Sequence, residues 1–141
     1  MYEPGGKDLP NELRTETLAT NPTIVQRYAE LTGDFNPIHL DPDFAATTPF
    51  KTPIIHGAMS VNLLMTAIEN TFGGVMPAAD IDTRFIRPVP VGSAIRAGGV
   101  LTDAANGTYQ VFVETDAGER AVEGTLSLHA FKTTRENGNG A

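Results

Sequence analysis

The sequence predicts an α+β domain, with an antiparallel sheet wrapped around one central apolar helix. Three observations carry that expectation. Residues 57–72, GAMSVNLLMTAIENTF, are helix-forming and apolar on nearly every side, and a helix apolar all round is buried all round. From Ile81 onward, β-branched alternation replaces helical spacing and is punctuated by the turn signals Asn106-Gly107 and Asp116-Ala-Gly118. Helical signals come first and strand signals follow, so helices are segregated from the sheet.

In chain order, an extended N-terminal segment leads to Asn21-Pro22, which reads as an N-cap with proline at the first helical position. Ile24, Tyr28 and Leu31 follow at spacings of four and three and form one apolar stripe. Gly33 suits the left-handed position that ends the helix. Asp41-Pro42 repeats the start signal, with Asp41 as N-cap of a short turn through Phe44, Ala45 and Ala46. The helix of residues 57–72 would span roughly 24 Å and stop at Gly73-Gly74. Pro88, Pro90 and Gly92 mark a strand end and turn. Ser93 to Leu101 reads as a strand in which Gly98-Gly99 signals a bulge or a close backbone approach. The Asn106-Gly107 hairpin leads into Tyr109, Val111 and Val113, and residues 121–131 form the last strand, with His129 an ordinary member of it. Residues 1–132 form one domain without repeat or linker, and residues 133–141 are a polar, glycine-rich tail expected to be mobile.

Composition narrows the function. A net charge of −7 argues against a nucleic-acid partner, which requires a basic face. The absence of cysteine excludes a disulfide framework, a thiolate metal site and a cysteine nucleophile, and suits a reducing compartment. Residues 1–11 carry Pro4, Gly5, Gly6, Lys7 and Asp8 where a signal peptide would be apolar, and no stretch is long enough to span a bilayer. A soluble, cytoplasmic protein without a membrane partner is expected. Four or five strands around one helix leave a free edge, which two copies pairing edge to edge would remove, so a homodimer or higher homo-oligomer is expected.

The chemistry concentrates in YAELTGDFNPIHLDPDFA, residues 28–45. Asp34 and His39 lie five apart, behind a glycine and across Asn36-Pro37, a spacing that suits neither one helix face nor one strand face. They read as an acid–base pair on a loop. His56-Gly57 then opens the apolar helix, so N–H groups at a helix start can serve the same site. The bland alternatives are a turn aspartate and a hydrogen-bonded loop histidine. Asn36 is best read as holding the loop, and His56 as structural at a helix start. Arg84, Arg87 and Arg96 offer guanidinium forks to phosphate oxygens, with a solvated strand face as their alternative, and Arg87 beside Pro88 is the preferred one. A divalent-metal reading of His39, Asp41, Asp43 and His56 lacks diagnostic spacing, so no metal is expected, nor any cofactor.

Residues 28–45, followed by PIIHGAMS and TRFIRPVPVG, resemble the MaoC-like branch of the hot-dog fold, the (R)-specific enoyl-CoA hydratases and related dehydratases. Tyr28, Leu31, Thr32, Gly33, Asp34, Asn36, Pro37, Ile38, His39 and Ala45 match the hydratase motif without a gap. The likeness extends from about Thr17 to Phe131. It implies that Asp34 and His39 bind the water added across the double bond of a trans-2-enoyl thioester, Asp34 as principal base and His39 orienting the water, while the Gly57 N–H faces the enolate oxygen. It implies acyl contacts from the first two turns after His56-Gly57, here Met59, Ser60 and Leu64. Asn36, His56 and Arg87 are expected at the substrate as well, on their positions in the chain rather than on the resemblance. Met65 stands where some members carry a small polar residue, which bears on chain length. The carrier would be coenzyme A or an acyl carrier protein. A hot-dog thioesterase and a non-catalytic subunit of another hydratase are the rival readings.

Overall fold

The computed structural model describes residues 8–131. A five-stranded antiparallel sheet is formed by β1 (Glu16–Ala19), β2 (Ala79–Phe85), β3 (Ala94–Asp103), β4 (Thr108–Thr115) and β5 (Arg120–Leu128), in the order β1-β3-β4-β5-β2. The helices are α1 (Pro22–Thr32), the single turns α2 (Pro37–Leu40) and α3 (Pro42–Ala46), and the long α4 (Gly57–Thr71). Strand β2 pairs with β5, so residues 86–93 carry the chain from one edge of the sheet back to its other half. Among the described residues no helix is long and apolar enough to cross a membrane.

The core forms where alternate strand residues face α4. Ile95, Tyr109, Val111, Val113, Val122, Leu126 and Leu128 enclose Leu64, Ala67 and Ile68. Removing that apolar area from water is the main force holding the sheet on the helix. The expectation that α4 is buried all round requires correction. Met59, Ser60, Leu64, Ala67 and Ile68 are buried, whereas Asn62, Thr66 and Asn70 are exposed. The sheet covers one side of the helix, and the polar residues sit on the side it leaves open.

Two further expectations are revised, and a third is decided between its alternatives. Helix α1 begins at Asn21, whose side chain accepts from the Ile24 N–H, and ends at Gly33 with φ +79°, as its caps predict. Its buried face, however, is Val25 and Ala29, while Leu31 is 83% exposed. The smaller residues let α1 approach the core, and Ile24, Tyr28 and Leu31 border an apolar groove against Met59 and Leu63. Gly98 and Gly99 are positions of close approach, since a Cβ at Gly99 would lie 2.8 Å from Leu13 Cδ1, and the register shift of β3 falls between Leu101 and Asp103. The last strand ends at Leu128, after which His129–Phe131 form a 3₁₀ turn and His129 meets Asp80 at 3.0 Å. The tail of residues 133–141 lies outside the described residues.

Candidate active site

Asp34 follows the left-handed Gly33 that stops α1, and its Oδ1 accepts from the Asn36 N–H at 3.2 Å. Asn36 in turn accepts from the Ile38 N–H at 3.1 Å and caps α2, with Pro37 at the first helical position. His39 therefore sits on one helical turn where the sequence suggested an open loop. The cause is local, because Asn-Pro is itself a helix-start signal. Asn36 is exposed and its side chain is engaged in this cap.

The protonation of His39 follows from its partner. Nδ1 lies 2.7 Å from the Ile54 carbonyl, which can only accept, so Nδ1 carries the hydrogen and Nε2 presents a lone pair. Nε2 lies 3.9 Å from Asp34 Oδ2. That gap is too long for a direct hydrogen bond. One water held about 2.8 Å from each atom would subtend about 90° between them, an angle a water can serve. Both neighbours are acceptors, so the water would donate both hydrogens and turn its lone pairs outward.

His39 also lines a cavity of about 320 Å³ together with Ile54, Gly57, Ser60, Phe85, Arg87 and Val89. Gly57 starts α4, where N–H groups have no intrahelical acceptor and the helix dipole is positive. A Cβ at this position would lie 2.9 Å from Phe85 Cε1, so only glycine leaves the Phe85 ring where it is. Asp34, half-exposed, adjoins the cavity through His39. His39, Gly57 at the helix start and Ser60 thus line one space.

Other expected site residues separate. Met59 is 4% exposed and lines the groove between α1 and α4. Leu64 is fully enclosed in the core and lines neither space, because its helical position turns it toward the sheet. This corrects its expected acyl contact. Arg87 reaches the cavity wall and pairs with Glu119 at 2.7 Å. Arg84 pairs with Glu123 at 3.6 Å, and Arg96 pairs with Glu114. His56 is buried, stacks on His39 and reaches the Asp34 carbonyl. Asp34, His39 and His56 could bring ligand atoms within 4.8 Å of one another, but His56 Nε2 faces a carbonyl and carries a hydrogen there, which leaves two lone-pair donors. That set suits a divalent ion poorly. Asp41 is occupied in capping α3.

Sequence reasoning missed Ile54, Tyr28 and Phe85 as parts of the site. Ile54 acts through its backbone, which has no residue-type signature. Tyr28 contacts His56, ring centroids 4.9 Å apart, and its hydroxyl accepts from Asn62. Burial, and then the Asp34 charge, raise the Tyr28 hydroxyl above its ordinary value of 10.0.

Residues 7–123 match the family model described as MaoC like domain. The chain belongs to the MaoC-like family. As a MaoC-like protein it is 42% identical over 99 residues to the 3-hydroxyacyl-thioester dehydratase Z of Mycobacterium tuberculosis, a match covering 64% of this chain and 66% of that relative, just under two thirds of its length. To the (R)-specific enoyl-CoA hydratase of Aeromonas caviae it is 36% identical over 109 residues, covering 71% of this chain and 78% of that one. The solved structure of an (R)-hydratase from A. caviae superposes with a TM-score of 0.71 and 28% identity, over 85% of this chain and 94% of the other. The MaoC-like chain thus has the hot-dog fold.

Proposed function

We propose that this protein is an (R)-specific enoyl-thioester hydratase, adding water across a trans-2 double bond to give the (R)-3-hydroxyacyl thioester, and catalysing the reverse dehydration. The observation that carries this reading is the pair of acceptors, Asp34 Oδ2 and His39 Nε2, 3.9 Å apart beside a cavity that also holds the start of α4. Water between them attacks Cβ as Asp34 takes one of its protons and His39 holds the other. The alkene electrons move onto the thioester oxygen, which the Gly57 N–H receives, a donor worth about 3 kcal/mol in comparable sites. The proton returns through the dyad to Cα, so one water is added in all. No redox step arises, and the chemistry calls for no cofactor.

Coenzyme A fits the reading because Arg87 stands at the cavity wall, although an acyl carrier protein presents the same thioester. Two copies of the chain, each with a site beside the edge strand β2, form the assembly proposed. Crotonyl-CoA tests the activity through loss of its enoyl absorbance. Asp34→Asn and His39→Gln are each expected to lower kcat about 10³-fold while circular dichroism stays unchanged. A folded Asp34→Asn variant with full activity, or thiol release in place of hydration, overturns the reading; the second outcome would indicate a thioesterase.

A further inference from the structure

The mechanism above leaves His56 without a task, yet it is the most enclosed titratable side chain at the site, at 2% exposure. Its Nε2 lies 2.9 Å from the Asp34 backbone carbonyl and 4.0 Å from Asp34 Oδ2. Its ring stacks on that of His39 with centroids 3.9 Å apart and planes 27° apart, and Tyr28 closes another side. Its Nδ1 is buried and has no hydrogen-bond partner among the described residues.

These contacts fix the ring. A carbonyl only accepts, so Nε2 must carry the hydrogen, and Nδ1, with neither donor nor acceptor beside it, is left bare. A buried polar atom without a partner costs stability and persists only where its surroundings impose it. Flipping the ring would put the Cε1–H where the Nε2–H stands and lose the hydrogen bond to the Asp34 carbonyl, so the stack and the hydrogen bond hold one orientation. Through Nε2 the ring holds the backbone of Asp34, and through its face it sets the plane of His39. Both partners of the dyad are thereby referred to a single rigid group at the start of α4, the helix that also supplies the Gly57 N–H.

We propose that His56 is a positioning residue, locked as the Nε2–H tautomer, which clamps the Asp34 backbone and stacks on His39 so that the two acceptors face one water. This rests on the hydratase reading for its effect on rate, but the tautomer does not. ¹⁵N NMR of the imidazoles in the full chain, in mildly alkaline buffer, is expected to show His56 with Nε2 protonated and Nδ1 bare. A proton on Nδ1 overturns the proposal whether or not the protein hydrates anything. His56→Phe keeps a stacking ring and loses the donor, and is expected to lower kcat about 10- to 100-fold with KM for crotonyl-CoA nearly unchanged. His56→Gln keeps an N–H of the same reach and is expected to recover part of that loss. A folded His56→Phe variant with wild-type kcat, or one changed only in KM, overturns it. Failure of the wild type itself to hydrate crotonyl-CoA would count against the hydratase reading and leave the NMR result to decide the clamp.

Discussion

Gly57 has a demanding position, because in the proposed reaction its N–H faces the thioester oxygen while the Phe85 ring packs against the place a Cβ would occupy. Adding a methyl group forces either the ring or the helix start to move. Gly57→Ala is therefore expected to lower kcat/KM about tenfold, and Phe85→Ala in the same chain to restore part of it, a coupling of about 1 kcal/mol in a double-mutant cycle. Additive effects would refute the contact. Asp34, Gly33, Asn21 and His39 were legible in the sequence because each residue type has a narrow set of uses at such positions. The Ile54 carbonyl and the Phe85 ring were not, since a backbone oxygen has no letter and an aromatic on a strand serves equally well in any core. Leu64 was misjudged for a related reason: helical spacing defines faces but does not say which face meets the sheet.

Among the elements, α4 and the strands after it could be read from periodicity, whereas β1 could not. Its four residues, ETLA, are too short to establish alternation, and they are a strand because β3 offers an unpaired side. Strands β1 and β2 are the two edges of the sheet. Exposed backbone donors and acceptors along β2, with Phe85 61% and Ile86 40% exposed beside it, make a surface that a second copy would cover. Sedimentation velocity is expected to find a species of twice the 15.0 kDa chain mass at micromolar concentration. A persistent monomer would show that the edge is protected in some other way.

For the molecule as a whole, the solvent side of the sheet carries a charge network that the pattern of alternation did not disclose. Glu114 pairs with Arg96 and Arg120, and both guanidiniums lie over the Phe112 ring, Arg120 at 3.9 Å from its centroid. The hydrogen bond from Arg96 is the main cause holding the Glu114 carboxyl below its ordinary 4.5; burial opposes it, and the Arg96 and Arg120 charges reinforce it. A depressed carboxyl stabilises the fold above its unfolded value and loses that contribution as pH falls through the folded one. Glu114→Gln is expected to cost about 1 kcal/mol near neutrality, about 3 °C in Tm, with the difference from wild type shrinking below pH 4.5. An equal gap at all pH values would contradict this. The cavity wall has a different kind of support. Ile55 donates to Val89 and Val91 to Pro53, each at 2.9 Å, with Ile54 bridged to Pro90, so segments far apart in sequence are joined as a short ladder. Side chains in such a ladder alternate in direction, and one inserted or deleted residue on either side would turn Ile55 or Val89 outward. Length changes at the tip of the β3–β4 hairpin leave this wall untouched, so the two loops should differ sharply in the indels they accept.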